Sequence, residues 1–436
     1  MPALGKWAPL DGRPGPGGRS LAMQAPAAPP SAASIVRRYY GVWLVYSLAG
    51  GFLAGVYPLF LRSRGLNQFE INSVLAMYFA VTFLLDVPTG AFADAIGRRL
   101  AFVLGCALRC LAFGLYFLSH AYVLFLVAET IDAVGTTFCN GAIDAWGVDA
   151  LDDAGFEGTK DSLFSRISQL SSLGFMVTAL IGAFVGQVDI AWPWLLGAGG
   201  FIVSGLVGTL LHERPRLASA GGHRAMREAI RSRIGAGLQR GFGVRSVRLL
   251  SLAEAIILAL WAPYWLEWPL LFKDGYGAGV WVVGWIFCVL GLGRLIGAEA
   301  AARMVGIAPS RPRLLSGLLI ASGLLLVGAG FAAGQPNLAL AFLFLMNVCQ
   351  GAREPLALSW FNEQLEPEER ATMLSFRSTM ATAGGSVGLL LGGVVADLRG
   401  IPFAWKMAGT LSLLAVPCYL ALRPRPGLTA PRRTSR

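Results

Sequence analysis

Long apolar runs separated by short polar segments form the dominant pattern of this chain after residue 38. An α-helix needs about 20 residues to cross a hydrocarbon core of about 30 Å. Twelve runs approach or exceed that length, at 39–61, 71–93, 100–118, 122–147, 164–186, 192–211, 249–272, 280–299, 314–333, 338–361, 372–395 and 403–422. The pattern therefore predicts an all-α membrane protein with twelve transmembrane helices.

An arginine-rich segment divides the twelve runs into six and six. We predict a disordered cytoplasmic tail at 1–38, a six-helix bundle at 39–211, a linker at 212–248, a second six-helix bundle at 249–422 and a cytoplasmic tail at 423–436. Within the linker, apolar residues recur at every fourth position from Met226 to Leu238. This spacing suits an amphipathic helix on anionic lipid, and a solvated basic loop is the alternative.

The two halves of the chain resemble each other at an offset of 210 residues. Gly141-Ala142 corresponds to Gly351-Ala352, and Asp144 corresponds to Glu354. Two similar bundles imply a pseudo-twofold axis along the membrane normal, with a central cavity between them. A cavity of this kind can open alternately toward either side of the membrane.

Composition and charge support the same class of protein. The chain is 55% hydrophobic and 14% charged, with a mean hydropathy of +0.60, which excludes a soluble protein. When both termini are placed in the cytoplasm, four of the 36 Lys and Arg residues fall in outer loops: Arg62, Arg64, Lys273 and Arg399. This asymmetry predicts cytoplasmic termini and arginines facing an anionic inner leaflet. The net charge of +11 then reflects topology, and we expect no nucleic-acid partner.

Cysteine and histidine usage points away from redox or metal chemistry. All six cysteines fall in the apolar runs, and the three histidines lie at run edges or in loops. We therefore expect no disulfide framework, no metal site, no catalytic residues and no enzymatic activity. The preference for Arg over Lys, with abundant Ala and Gly, favours a GC-rich genome and hence a bacterial inner membrane. We expect a monomer, translated from Met1 or Met23.

A compact polar motif lies between the second and third runs and reads Gly90-Ala-Phe-Ala-Asp94-Ala-Ile-Gly97-Arg98-Arg99. It resembles the signature loop between the second and third helices of the major facilitator superfamily of transporters, with Ala95 in place of the usual basic residue. The resemblance implies that Asp94 closes the cytoplasmic side by meeting the positive end of the eleventh helix, while the arginines hold the loop on lipid. The implied gating residues are Gly90, Asp94, Gly97, Arg98 and Arg99.

Three further stretches resemble a bacterial drug-efflux-like subgroup of this family. Asp86-Val-Pro88-Thr-Gly90 carries Asp where the subgroup usually has Glu. The other two are Gly141-Ala-Ile-Asp144-Ala-Trp-Gly-Val-Asp149 and Asn362 followed by Arg370-Ala371-Thr372. Together the resemblance covers nearly all of residues 39–422.

Polar side chains follow one face of the fourth run at spacings of three and four residues. An acid at the bilayer centre costs roughly 2.5 to 3.5 kcal/mol, so these side chains should face protein or water. We predict that Asp132 is the chief proton-coupling residue, with Glu129, Glu254 or Asp86 as further candidates. An ion pair of Asp132 with Arg109 is the structural alternative. Asp144, near the cytoplasmic end, is predicted to be a gate or loop contact.

Similar stripes occur on the first, seventh and tenth runs, and the family resemblance implies that these helices and the fourth line the central cavity. Aromatic rings beside an acid suit an organic cation, although four arginines leave an anionic substrate open: Arg109, Arg294, Arg353 and Arg377. We assign Tyr39 and Trp43 to the interfacial aromatic belt. The predicted substrate-cavity residues are Tyr46, Thr136, Asn140, Trp261, Trp265, Asn347, Gln350 and Glu354.

These features together predict a secondary active transporter that works by alternating access. We expect it to export an amphipathic organic small molecule in exchange for protons, with the proton gradient as energy source and no cofactor. A proton-linked or facilitative uptake permease is the alternative within transport. A non-transporting membrane receptor or scaffold is the alternative from another class.

Overall fold

The computed structural model describes residues 31–156, 160–211, 213, 239, 241–307, 310–366 and 370–423. Its helices are α1 (Ala32–Gly51), α2 (Tyr57–Ser63), α3 (Gln68–Ile96), α4 (Arg98–Leu118), α5 (Tyr122–Asp153), α6 (Lys160–Val188), α7 (Trp192–Thr209), α8 (Arg245–Leu270), α9 (Val280–Ile307), α10 (Arg311–Phe331), α11 (Pro336–Glu363), α12 (Arg370–Arg399), α13 (Ile401–Ser412) and α14 (Val416–Leu420). No strand occurs in these ranges, which confirms the predicted all-α class. The predicted amphipathic segment from Met226 to Leu238 and most of both tails lie outside the described residues.

Several helices extend beyond the apolar runs that predict them. Helix α1 begins at Ala32, inside the segment 1–38 predicted to be a disordered tail, and α8 begins at Arg245, inside the predicted linker. The Ser31 hydroxyl accepts a hydrogen bond from the Ser34 N–H at 3.4 Å, which caps α1. At the start of α3, Asn67 and Glu70 form a reciprocal capping box. These caps satisfy backbone N–H groups outside the apolar core and so allow longer helices than hydropathy indicates.

The first and last predicted spans are interrupted helices. The first divides into α1 and α2 at residues 52–56. A Cβ atom added to Gly51 would lie 2.0 Å from Thr178 Oγ1, so glycine permits a close approach of α1 to α6 at this break. The last span divides into α13 and α14 at a 3₁₀ turn, Leu413–Ala415. Pro417 follows directly and lacks the N–H that would continue the α-helical hydrogen bonds.

Ten helical segments in the described part of the chain are long and apolar enough to cross a membrane. They include every predicted span except the first and the tenth. The first span falls short because its helix is broken and includes Arg37 and Arg38. The tenth falls short because Asn347, Gln350 and Arg353 lower the hydropathy of α11.

The packing of the helices repeats between the two halves. In the first half α4 packs on α5 and α7, α3 packs on α5, and α1 packs on α6. In the second half α10 packs on α11 and α13, α9 packs on α11, and α8 packs on α12. Between the halves, α3 packs on α12 and α6 packs on α9. A pseudo-twofold rotation that superposes one half on the other converts each of these two contacts into the other. The contacts therefore follow the pseudo-twofold relation that the 210-residue offset predicts.

The two halves meet near one end of the bundle. We call the end where α7 finishes and α8 begins the linker face, and the end where α3 begins and α12 finishes the opposite face. At the opposite face the Asp397 carboxylate accepts hydrogen bonds from the backbone N–H groups of Gln68, at 2.9 Å, and Phe69, at 2.8 Å. The Val280 N–H donates to Gln187 Oε1 at 2.7 Å. These bonds tie α12 to α3 and α9 to α6 across the opposite face.

Glycines on the predicted fifth and eleventh spans allow close helix packing. An added Cβ would lie 1.9 Å from the Phe52 carbonyl oxygen at Gly182, and 1.8 Å from the Ala259 carbonyl oxygen at Gly388. Any larger residue at these positions would force α6 from the turn after α1, or α12 from α8. These glycines therefore allow close packing of the helices that lie at the boundary between the halves.

Candidate functional site

A cavity of about 840 Å³ lies between the two halves. Residues of α1, α5 and α6 form one wall, and residues of α8 and α9 form the other. Its charged wall residues are Asp144 and Arg294, and its aromatic residues are Tyr39, Trp43, Phe175, Trp265 and Phe287. The cavity is within the size range of small-molecule sites and combines apolar walls with few polar groups, as such sites do.

Tyr39 and Trp43 belong to this cavity, so their assignment to an interfacial belt is wrong. The Tyr39 hydroxyl donates to Asp144 Oδ1 at 2.8 Å, and Trp43 Nε1 donates to the same oxygen at 2.9 Å. Packing of α1 against α5 turns these aromatic side chains inward toward the carboxylate. Asp144, predicted to be a gate or loop contact, therefore lies on the cavity wall.

A second cavity of about 400 Å³ lies within the first half and shares Ser47, Ala54 and Phe175 with the larger one. Its wall carries the predicted residues Tyr46, Glu129 and Asp132. The smaller cavity therefore brings the proton-coupling candidates of α5 next to the space between the halves.

Arg109 and Asp132 form a buried two-point ion pair in this second cavity. Arg109 Nε donates to Asp132 Oδ1 at 2.8 Å, and Nη2 donates to Oδ2 at 3.2 Å. Nη1 donates to the Tyr46 hydroxyl at 2.8 Å, and the guanidinium lies 4.2 Å from the centre of the Phe201 ring. The structural alternative for Asp132 is thus present, and its charge is compensated in this state.

Glu129 lies one turn from Asp132 and has different surroundings. It is 5% exposed and accepts a hydrogen bond from the Tyr116 hydroxyl. The Tyr57 hydroxyl oxygen lies 3.4 Å from the Tyr116 hydroxyl oxygen. The Tyr116 ring also stacks on the Trp194 ring, with 3.9 Å between the ring centres. No Lys or Arg of the described residues forms an ion pair with Glu129.

Glu254 belongs to a separate cluster in the second half. Its carboxylate lies 2.8 Å from Arg353 Nη1 and 3.6 Å from Arg377 Nη2, and it accepts a hydrogen bond from the Tyr419 hydroxyl at 3.1 Å. Arg353 Nε also donates to Gln350 Oε1 at 2.8 Å. Glu254 is thus a buried carboxylate held by two guanidinium groups.

The remaining predicted residues are dispersed. Trp265 lines the large cavity beneath Arg294, which pairs with Glu354 at 2.6 Å. Asn347 is buried and donates to Tyr264 at 3.2 Å. Four further predicted residues lie outside the walls of both cavities. Asp86 and Asn140 are exposed, whereas Thr136 and Trp261 are buried.

Sequence reasoning missed Glu267 of α8. This side chain is 1% exposed, and its Oε2 accepts a hydrogen bond from Trp405 Nε1 at 2.8 Å. Its Oε1 has no hydrogen-bond partner among the described residues. An acid inside an apolar run, here between Trp265 and Trp268, is the sequence feature that could have identified Glu267 as a candidate.

The signature loop is built around Gly97, whose φ of +101° separates α3 from α4. Glu213 accepts hydrogen bonds from the backbone N–H groups of Arg98, at 2.8 Å, and Arg99, at 3.1 Å, and so caps α4. The Arg98 side chain pairs with Asp94, at 3.3 Å, and with Asp149. The loop is therefore tied to α5 and to the start of the segment after α7.

Comparison with known proteins gives one consistent result. The family model of the Major Facilitator Superfamily matches residues 41–265 and 249–436. The multidrug resistance protein MdtH of Aeromonas hydrophila is 25% identical over 389 residues, covering 85% of this chain and 87% of the relative. The quinolone resistance protein NorA of Staphylococcus aureus is 20% identical over 184 residues, covering 42% of this chain and 46% of the relative.

Solved structures share the fold. The crystal structure of the nucleoside transporter NupG has a TM-score of 0.72 at 13% sequence identity, and the match covers 89% of this chain and 98% of that one. The family match spans both halves, and the helices and the signature loop agree with it. This chain belongs to the major facilitator superfamily and is a multi-pass membrane transporter of a small molecule.

Proposed function

We propose that this transporter exports an amphipathic organic small molecule in exchange for protons, by alternating access. The observation that carries the proposal is the large cavity between two halves that are tied together at the opposite face. From mid-depth near Ala54, the cavity walls extend toward the linker face. Closing the linker face and parting the opposite face would carry a bound solute across the membrane.

The proposed topology has twelve spans, with the two bundles at 39–211 and 249–422 and both termini in the cytoplasm. Helices α1 and α2 form the first span, and α11 forms the tenth. The low hydropathy of α11 is compatible with spanning, because its Asn347, Gln350 and Arg353 side chains are buried in protein. The linker face is then cytoplasmic, and the excess of arginine there suits an anionic inner leaflet of a bacterial inner membrane. We propose that the monomer is the working unit, since the cavity is complete in one chain.

Glu129 is the strongest of the four proton-coupling candidates. Arginines compensate Asp132 and Glu254, and Asp86 lies outside both cavities. A buried carboxylate without an ion-pair partner is costly, so binding a proton is the direct way for Glu129 to lose its charge. Its place in the smaller cavity connects that proton to the space between the halves.

Export is the proposed direction because the curated relatives at low identity are a multidrug and a quinolone resistance protein.

We propose gating roles for the signature-loop residues Gly90, Asp94, Gly97, Arg98 and Arg99. Here the Asp94 side chain is 53% exposed and pairs within its own half. Its contact with the start of α12 would form when the linker face closes.

Asp397 provides a test of alternating access. Replacing it with Ala removes both bonds to the start of α3, each a charge-assisted bond worth about 1.5–3 kcal/mol, and should favour the state open at the opposite face by about tenfold or more. In a cysteine-free background, spin labels at positions 100 and 303 would report the linker face, and labels at 118 and 331 the opposite face. Asp397→Ala should shorten the first distance and lengthen the second.

Asp189→Ala is the matched control at the same face. Asp189 accepts a hydrogen bond from the Ala191 N–H within its own half, at 2.8 Å. This control should leave both distances unchanged. If Asp397→Ala changes neither distance, or changes both in the same sense, alternating access about this contact is wrong.

A further inference from the structure

We infer that Asp144, with Tyr39 and Trp43, forms the subsite that binds the positively charged group of the transported molecule. The inference rests on the proposed function and identifies the substrate class as amphipathic organic cations. The subsite lies on the wall of the large cavity and is separate from the buried proton-coupling candidates of α5 and α8.

The geometry leaves one carboxylate oxygen available. Both the Tyr39 hydroxyl and Trp43 Nε1 donate to Asp144 Oδ1. Among the described residues, no hydrogen bond reaches Oδ2. The two donors fix the orientation of the carboxylate, and they carry no charge that would compensate it. Oδ2 is thus held ready for a cationic partner.

The charge balance of the cavity favours a cation over an anion. Asp144 has no ion pair with a described residue, whereas Arg294 on the other wall is paired with Glu354 at 2.6 Å. The three other arginines that left an anionic substrate open are also engaged. Arg109 binds Asp132, and Arg353 and Arg377 bind Glu254. Among the described wall residues, the cavity therefore presents one negative charge without an ion-pair partner, that of Asp144.

Aromatic side chains surround that charge and extend the site. The Tyr39 and Trp43 rings lie beside the carboxylate, while Phe175, Phe287 and Trp265 contribute apolar surface to the same cavity. Aromatic faces attract cations and also accept apolar bulk without strict geometry. A molecule with a cationic group and an aromatic body fits both features in a cavity of about 840 Å³.

The test compares two probes of similar aromatic bulk, the cation tetraphenylphosphonium and the neutral triphenylphosphine oxide. Equilibrium dialysis with the purified full chain in detergent gives both affinities. Asp144→Asn should weaken binding of the cation by about tenfold or more, because a charged contact becomes a neutral one. It should leave binding of the neutral probe within about twofold, which also shows that the variant is folded. Asp189→Asn makes the same change in net charge at the opposite face and should change neither affinity.

Trp43→Phe keeps an aromatic ring but removes the indole N–H that donates to Oδ1, and should weaken cation binding less than Asp144→Asn. Two results would overturn the subsite while leaving the transporter proposal intact: unchanged cation binding by Asp144→Asn, or equal loss of both probes. If the wild-type chain binds neither probe, both the subsite and the export of amphipathic organic molecules are wrong.

Discussion

Glu129→Gln protein in proteoliposomes will carry an organic cation such as ethidium down its concentration gradient, but cation-driven proton flux will fall to the level of protein-free vesicles. The buried Glu129 carboxyl has a tyrosine donor and forms no ion pair with a described residue, because Arg109 in the same cavity pairs with Asp132. Glutamine keeps its size and its hydrogen-bond acceptor but cannot bind and release a proton. The variant should therefore fold and transport while uncoupled. A pH-sensitive dye inside the vesicles and ethidium fluorescence measure the two fluxes together.

Glu267→Gln is the matched control for this prediction. Glu267 is also buried, lies in a membrane helix and accepts one hydrogen bond, from Trp405, but it is absent from the walls of both cavities. Its replacement should leave the proton flux coupled to ethidium. If Glu267→Gln uncouples the protein and Glu129→Gln does not, the coupling site is in the second half and our assignment is wrong.

Asp132→Asn is expected to lower the free energy of unfolding by about 3–5 kcal/mol, because it leaves the buried Arg109 guanidinium without its carboxylate. Replacing both partners with apolar residues of similar volume, Arg109→Met with Asp132→Leu, should cost much less than either of these changes alone. Reversible unfolding in detergent of the wild type, the two single variants Arg109→Met and Asp132→Leu, and the double variant gives the coupling energy.

The cycle also decides between two roles for Asp132. A double variant that loses much less stability than the sum of the two single variants, with proton flux retained in whatever protein remains folded, assigns the residue to a structural ion pair. Unchanged stability of Asp132→Asn, with loss of proton flux, would contradict that assignment and return Asp132 to the coupling candidates.

Hydropathy identified most of the membrane helices, because every helix that crosses the hydrocarbon core needs about 20 predominantly apolar residues. The apolar run at 71–93 corresponds to α3, Gln68–Ile96, and the run at 122–147 corresponds to α5, Tyr122–Asp153. The ends differ because polar caps and loop contacts, rather than lipid, set where a helix stops. The signature loop was also recognisable from the sequence, because the positive φ at Gly97 favours glycine whatever the distant contacts are.

The cavity was harder to predict because helix rotation depends on packing between distant segments. Tyr39 and Trp43 lie at a depth where both an aromatic belt and a cavity wall accept such residues, and only the packing of α1 against α5 distinguishes them. The stripe on α11 was correctly seen as polar, yet Asn347 and Gln350 are buried among protein groups away from the large cavity.

Contacts between the halves could not be read from either half alone. Asp397 is one acid among several near loop ends, and its role depends on the start of α3, more than 300 residues earlier in the chain. The Arg109–Asp132 pair was a stated alternative because both residues lie at similar depth in neighbouring runs. Pairing of charges across helices therefore needed the tertiary structure, even where each charge was conspicuous in the sequence.

The most direct test of proton-coupled export measures ethidium and proton movement together in proteoliposomes that hold the wild-type chain and an imposed pH gradient. We predict that protons and ethidium move in opposite directions, and that reversing the pH gradient reverses the uphill movement of ethidium. Ethidium movement that ignores the pH gradient, with no accompanying proton flux, would contradict proton-coupled export.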